Sequence, residues 1–198
     1  GWFYADGNID KNNNTFGVTV QSSDIGLLEK IKNFFGINES NVYIYKRKGR
    51  NCYDLLLCSK FLHDRFIELG CIPNKSLVLK YPDFFTEDYQ HWAFLRGIFE
   101  GDGSLSMRKG NRPGFYCDIA CGSKVFLESI QTLIKNKLNI DSKILERAPS
   151  KHKINGHEFT SSNAKRLYIL GGNSAIEKFL DALYTNTNNW HLDRKYQL

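Results

Sequence analysis

The 198-residue sequence lacks several features that mark common classes of protein. No apolar run is long enough to cross a membrane and no signal peptide is visible, so we expect an intracellular protein that does not associate with membranes, in a compartment the sequence leaves open. Its five cysteines are odd in number and form no CxxC pair, which disfavours structural zinc and favours reduced thiols. Its five histidines show no HExxH or HNH-like spacing, so none is assigned to a metal or to catalysis.

The charge balance favours a polyanionic partner. Lysine and arginine total 27 against 21 aspartates and glutamates, which gives a net charge of +6. Hydrophobic residues make up 41% of the chain, enough to form a core. The composition therefore permits a globular nucleic-acid-binding protein without demanding one.

The stretch from His91 to Gly103 predicts a helix that ends in a carboxylate. One apolar face with helical spacing is formed by Trp92, Leu95, Ile98 and Phe99. Gly97 and Gly101 lie one turn apart, which lets another backbone approach closely, and Gly103 is expected to end the helix in the left-handed conformation. Asp102 faces the negative end of the helix dipole, so stability alone does not explain its position.

The same motif occurs at the start of the chain, where residues 1–7 align without a gap with residues 97–103. Ala5 matches Gly101, and Asp6 matches Asp102. Residues 20–31 likewise align with residues 119–130. Such a repeat indicates two similar halves, and each reads as helix, two strands, helix, two strands, helix, an α+β pattern. We assign residues 1–80 to the N-terminal half, 81–90 to a linker and 91–198 to the C-terminal half.

The segments Gly-Trp-Phe-Tyr-Ala-Asp-Gly (1–7) and Leu-Arg-Gly-Ile-Phe-Glu-Gly-Asp-Gly (95–103) resemble the two signature helices of single-chain LAGLIDADG homing endonucleases. The resemblance covers essentially the whole chain. It implies two pseudo-symmetric αββαββα halves in one monomer, whose sheets form a saddle that straddles DNA. Because the first motif lacks the residues that precede Gly1 and the sequence has no initiator Met, we expect the first helix to be truncated at its start.

If the glycine-lined helices pack side by side, their ends bring Asp6 and Asp102 together. Two neighbouring carboxylates repel unless a cation intervenes, and Mg²⁺ prefers oxygen ligands. We therefore predict two or more divalent ions shared between these aspartates, with the carbonyls of Ala5 and Gly101 as further ligands. The alternative is that both aspartates are turn residues, since Asp-Gly is a common turn pair.

The resemblance also implies a lysine from each half near the scissile phosphate, and Lys75 and Lys195 fit that role. It further implies a polar residue that organises water near the metals, a role that Gln21 fits. Its repeat counterpart is Ala120, so this role is one-sided. Without the resemblance, both lysines would be read as ordinary solvated side chains and Gln21 as a surface strand residue.

Basic residues at the predicted hairpin tips are expected to follow DNA phosphates, and alternate strand residues to reach base edges in the major groove. The tip residues are Lys11, Arg47, Lys48, Arg50, Arg108, Lys109, Arg112, Lys151 and Lys153. The strand candidates are Asn8, Thr19, Tyr43, Tyr45, Asp118, Lys165 and Arg166.

These expectations combine into one hypothesis, a metal-dependent homing endonuclease that makes a double-strand break in a long, largely non-palindromic duplex DNA target. The alternatives on the same scaffold are an RNA-binding intron maturase, whose partner would be intron RNA, and a DNA-binding relative without activity. An intron, intein or free-standing origin is left open by the sequence.

Overall fold

A computed structural model describes residues 1–11, 13–107, 114–146, 151–154, 157–160 and 165–196. The chain divides into two compact units, each assembled from separate stretches of sequence. The first unit comprises Gly1–Lys75, Phe84–Gly101 and Asn186–Leu198, and the second comprises Ser76–Asp83 and Asp102–Thr185. Within the described part of the chain, no helix is both long and apolar enough to cross a membrane.

The first repeat forms helices around one antiparallel sheet. Its elements are α1 (Trp2–Ala5), β1 (Gly7–Ile9), β2 (Thr15–Gln21), α2 (Ile25–Phe35), β3 (Val42–Lys46), β4 (Cys52–Cys58) and α3 (Lys60–Glu68). The strands lie in the order β1-β2-β4-β3.

The second repeat has the same arrangement with one addition. Its elements are α4 (Asp88–Asp102), β5 (Gly103–Met107), β6 (Phe115–Cys121), α5 (Lys124–Leu138), β7 (Ser142–Glu146), β8 (Lys151–Ile154), β9 (His157–Thr160), β10 (Lys165–Ile169) and α6 (Gly172–Tyr184). A short helix α7 (Asp193–Tyr196) follows. The second sheet has the order β5-β6-β10-β7, which repeats the order of the first, and β8 and β9 form a separate hairpin. The predicted α+β fold with two αββαββα repeats is confirmed, but the sequence read the β8–β9 hairpin only as a polar tip.

Local sequence explains where the helices begin and end. Ser59 and Ser123 each accept a hydrogen bond from a backbone N–H in the first turn of α3 and α5. Gly36 ends α2 in the left-handed conformation at φ 57°. Gly103, in contrast, is the first residue of β5, so the prediction of a left-handed end to α4 was wrong. The turn is unnecessary because α4 passes directly into the strand.

Each sheet has an apolar face and a polar face, because side chains alternate along a strand. On the apolar faces lie the buried side chains of Phe16, Val18, Leu55 and Leu57 in the first sheet and of Cys117, Ile119, Leu167 and Ile169 in the second. The opposite faces present polar residues at the alternate positions. All five cysteines are free thiols.

Candidate metal centre and nucleic-acid interface

Glycines bring the backbones of α1 and α4 into contact within the first unit. A Cβ atom on Gly97 would lie 2.7 Å from the Cα of Gly1 and 2.7 Å from the backbone nitrogen of Trp2. A Cβ atom on Gly101 would lie 2.5 Å from the Cβ of Ala5 and 2.9 Å from Oδ2 of Asp6. The structure thus confirms that these glycines permit a close approach, and it places the Asp6 carboxylate beside the backbone of Gly101.

Asp6 ends α1, where its backbone N–H donates to the carbonyl of Trp2 at 2.9 Å. Its side chain lines a cavity of about 260 Å³ that is also lined by Gln21, Gly101 and Arg194. Asp6 is exposed to solvent, yet desolvation by the surrounding protein raises the pKa of its carboxyl. The charges of three cationic side chains, those of Lys75, Arg194 and Lys195, oppose this rise in the pKa.

Both predicted lysines lie in the electrostatic environment of Asp6, and both are buried. Lys75 is 8% exposed and Lys195 is 9% exposed, which is unusual for lysine. The ammonium group of Lys75 donates a hydrogen bond to the carbonyl of Gly7, the residue after Asp6. The ammonium group of Lys195 lies 5.1 Å from the centre of the Phe99 ring. Neither lysine is an ordinary solvated side chain.

Sequence reasoning missed the partners of this site, Arg194 and Asp24. Arg194 donates from Nε to Oδ2 of Asp24 at 2.7 Å, and Asp24 is buried. Asp24 directly precedes α2 but makes no side-chain capping hydrogen bond there, and its carboxylate pairs with Arg194 instead. The sequence feature that could have pointed to Arg194 is its position directly before the candidate Lys195.

Glu100 is a third group that the sequence did not identify. Its side chain is fully buried in α4, and it accepts hydrogen bonds from Nε1 of Trp2 and from the backbone N–H of Leu192, both at 2.8 Å. Burial raises the pKa of its carboxyl to about 7. Glu100 therefore ties α4 to the segment that leads into α7, the helix that contains Arg194 and Lys195.

Asp102 is the last residue of α4 and follows Gly101 directly. In the second unit it lies near Cys121, whose pKa is raised first by burial and further by the negative charge of Asp102. That Asp6 and Asp102 share divalent ions stays a prediction. Among the described residues, no group of three or more histidine, cysteine, aspartate or glutamate side chains is placed to hold a metal ion.

The polar face of the first sheet contains an ordered arginine. Arg47, just after β3, donates from Nε and Nη2 to the two carboxylate oxygens of Asp54 at 2.9 and 2.8 Å. Thr19 donates to the same carboxylate at 2.5 Å. The predicted contact residues Tyr43 and Tyr45 are exposed on this sheet, as is Asn8. Lys11, Lys48 and Arg50 are exposed at or near the hairpin tips, where the sequence placed them.

The polar face of the second sheet contains an open pocket with a volume of about 600 Å³. Its lining includes Ser104, Tyr116, Asp118, Lys143, Arg166 and Tyr168. Arg166 donates from Nη1 to Asp118 at 2.5 Å. Lys165 is not on this face, because it alternates with Arg166, and its ammonium group donates to the carbonyl of Gly122 at 3.2 Å. The expected base contact from Lys165 on this face is therefore not supported by the alternation of the strand.

Several predicted contacts fall where the structure gives no description. Arg108, Lys109 and Arg112 lie outside the described residues. Lys151 and Lys153 lie in β8, of which only the backbone is described. Their roles stay predictions.

Two αββαββα repeats, each with a sheet that has one polar face, and a carboxylate at the end of a glycine-packed helix define the class of protein. A family model described as the LAGLIDADG-like domain matches residues 1–69 and 90–182. The chain belongs to the LAGLIDADG family. Among the curated proteins, none matches it.

Solved structures show the same fold at low sequence identity. The N-terminal LAGLIDADG domain of DUF199/WhiA is 16% identical with a TM-score of 0.57, and the match covers 93% of this chain and 78% of that one. Full-length DUF199/WhiA from Thermatoga maritima is 18% identical with a TM-score of 0.58, and the match covers 99% of this chain and 57% of that one. A variant of I-DmoI, in complex with its target DNA in the presence of Mg, is 16% identical with a TM-score of 0.57, over 93% of this chain and 92% of that one.

Proposed function

We propose that this protein is a divalent-metal-dependent endonuclease that hydrolyses phosphodiester bonds in duplex DNA. One observation above all supports the proposal. A carboxylate at the end of a signature helix, Asp6, lies against the glycine that precedes the second signature aspartate, and the positive charges of three side chains act on it. I-DmoI, whose fold is similar, has been solved with its target DNA and Mg.

The donor set suits a hard cation. Asp6 and Asp102 would supply carboxylate oxygens, and the carbonyls of Ala5 and Gly101 are the further candidates. Mg²⁺ binds through one or two carboxylates together with waters and substrate phosphates, so a cluster of three protein side chains is not needed. Desolvation around the Asp6 carboxyl disfavours its charged form, and a bound cation would offset that cost. When bound, such an ion lowers the pKa of water and stabilises charge at phosphorus.

The protein's own side chains supply the other requirements of phosphodiester hydrolysis. Lys75, Lys195 and Arg194 provide positive charge near Asp6, which would stabilise the additional negative charge of the transition state. Their partial desolvation strengthens this effect. Gln21 lines the same cavity as Asp6 and would hydrogen-bond a water molecule there.

The two polar sheet faces and the basic hairpin tips would bind the duplex. The tips supply charge along the phosphates, while the faces present side chains that differ between the repeats. Because Thr19, Asp54 and Arg47 in one sheet have no like-for-like counterparts in the other, the target is expected to be largely non-palindromic.

The test is cleavage of a randomised duplex library with Mg²⁺, followed by sequencing of the cut ends. Asp6→Asn and Asp102→Asn should each abolish double-strand cleavage, a loss on the order of a hundredfold or more, while duplex binding persists. Asp141→Asn is the matched control, because the Asp141 side chain is 75% exposed and, among the described residues, forms an ion pair with the surface residue Lys135 alone.

Full cleavage by either signature variant would refute the catalytic assignment. Sequence-selective duplex binding without cleavage by the wild-type protein would indicate a DNA-binding protein of this fold. Tighter binding to intron RNA than to any duplex would indicate a maturase.

A further inference from the structure

Each sheet has a buried aspartate on the face that points away from its apolar core. Asp54 in β4 is 6% exposed and Asp118 in β6 is 5% exposed. Both alternate with core residues, Leu55 in one case and Cys117 and Ile119 in the other, so they lie on the polar faces. A negative charge there repels DNA phosphates, and therefore its presence on a DNA-binding face requires a reason.

In both sheets the aspartate lies beneath an arginine. The side chain of Arg47 is 41% exposed and that of Asp54 is 9% exposed. The side chain of Arg166 is 31% exposed and that of Asp118 is 6% exposed. The arginine is thus the member of each pair that an incoming ligand would meet, and the aspartate holds it from below.

Stability does not account for these pairs, because the desolvation penalty of a buried ion pair commonly offsets its Coulomb attraction. What the aspartates do provide is orientation. A free arginine side chain loses considerable rotamer entropy on binding, and an arginine already fixed by a carboxylate has lost it beforehand. The pairs are therefore suited to recognition.

The hydrogen bonds leave donors of each guanidinium group available. Arg47 uses Nε and Nη2 for Asp54, and its contact from Nη2 to Thr19 is long at 3.3 Å. Its Nη1 makes no hydrogen bond to the described residues. Arg166 uses Nη1 for Asp118, and its Nε is buried and therefore closed to a ligand. Each terminal guanidinium nitrogen carries two N–H bonds, so Nη1 and Nη2 together still offer donors to an acceptor with two adjacent oxygen or nitrogen atoms.

We propose that Arg47 and Arg166 each read one guanine through its O6 and N7 atoms in the major groove, and that Asp54 and Asp118 position them. This inference rests on the proposed binding of duplex DNA. Guanine is the base that presents two adjacent acceptors on its major-groove edge, and paired donors of an arginine match them. Asp118 then acts through Arg166 and does not itself touch a base.

The two arginines occupy non-equivalent places in the repeats. Gly7 and Gly103 are matched in the repeat, and they pair with Val18 and Ile119, so the residue that corresponds to Asp118 in the first sheet is Gly17 and not Asp54. The aspartate therefore lies on β4 in the first sheet and on β6 in the second, and the arginine follows β3 in one case and lies within β10 in the other. The two guanines should accordingly fall at different positions of the two half-sites.

The experiment selects bound sequences from a randomised duplex library without divalent metal, so that cleavage plays no part. The wild-type protein should require guanine at one position for each arginine. Arg47→Lys should relax one of these positions and Arg166→Lys the other, with a loss of guanine discrimination of roughly tenfold or more. Asp54→Asn and Asp118→Asn should relax the same positions as their arginines. Thermal unfolding of each variant checks that it folds.

Arg65→Lys is the matched control. Arg65 also pairs with an acid, Glu68 at 2.9 Å, but it lies on α3 and its side chain is 58% exposed, so the selected sequence should not change. If Arg47→Lys and Arg166→Lys keep the wild-type preference, or weaken all sequences equally as a phosphate contact would, this inference is overturned and the endonuclease proposal stands. If no duplex sequence is selected, or RNA is preferred, both are overturned.

Discussion

The two signature helices share their backbone geometry but differ in the polar residue two positions before the aspartate. The first has Tyr4, whose hydroxyl donates to the carbonyl of Leu69 and whose ring meets Phe94 edge-on at 4.9 Å. The second has Glu100, which holds Trp2 and Leu192. Tyr4 therefore holds α1 to its own repeat through Leu69 and to α4 through Phe94, whereas Glu100 holds α4 to a segment near the end of the chain.

The surroundings of Asp6 therefore depend on distant parts of the sequence. The helix after Leu192 contains Arg194 and Lys195, two of the three cations that act on Asp6. Glu100 is thus placed to fix their position. The glycines and aspartates repeat, while the residues that complete the site do not.

The largest effect is expected from removing Glu100. Glu100→Ala leaves the N–H groups of Trp2 and Leu192 buried without an acceptor and creates a void, so the free energy of unfolding should fall by about 2–4 kcal/mol. Tyr4→Phe removes one hydrogen bond at the matched position and should cost about 1 kcal/mol. Urea denaturation measures both. If the two variants lose equal free energy of unfolding, Glu100 and Tyr4 do not differ in how strongly they hold their helices.

A second prediction concerns the glycine contact that the helices share. Gly97→Ala places a Cβ atom 2.7 Å from backbone atoms of Gly1 and Trp2, which cannot move aside as a flexible side chain can. The free energy of unfolding should fall by about 1–3 kcal/mol. Gly26→Ala is the control, because its Cβ atom would meet nothing within 4 Å on the exposed side of α2. That change should instead raise stability by about 0.5–1 kcal/mol in the same denaturation series.

The smallest expected effect is a pH dependence of stability that arises in α3 of the first repeat and has no counterpart in α6 of the second. His63 in α3 is buried, with its ring nitrogens 3.1 Å from Oδ1 of Asp64 and 2.8 Å from the carbonyl of Asp10. The carboxylate of Asp64, and then the Asp10 carbonyl, raise the pKa of His63 above its ordinary value of 6.5. Helix α6 contains no histidine.

Because the folded pKa of His63 is raised, its contribution to stability is fully present below the unfolded pKa and is lost as the pH rises through the folded pKa. Thermal unfolding from pH 5.5 to 8.5 should show this loss in the wild-type protein and less of it in His63→Asn. A variant with an unchanged pH profile would show that His63 does not supply this dependence.

Much of the fold could be read from the sequence because it repeats. The apolar spacing of Leu95, Ile98 and Phe99 predicted a buried helix, and all three are buried. The predicted repeat is seen in the matching strand orders of the two sheets. The end of α4 and the β8–β9 hairpin were missed, since a helix that runs directly into a strand needs no turn residue and a polar hairpin resembles a loop.

The repeat, the glycine-lined helices and the candidates Asp6 and Asp102 follow from the sequence alone, since they are local motifs at matched positions. Lys75 and Lys195 became candidates only through the resemblance to the family. The pairing of Arg194 with Asp24 and the hydrogen bond from Leu192 to Glu100 became visible only in three dimensions. The tertiary structure alone also showed that Asp54 and Asp118 lie beneath arginines. The physical reason is that these contacts join residues far apart in the chain or across strands, where distance and burial, and not local sequence, select the partner.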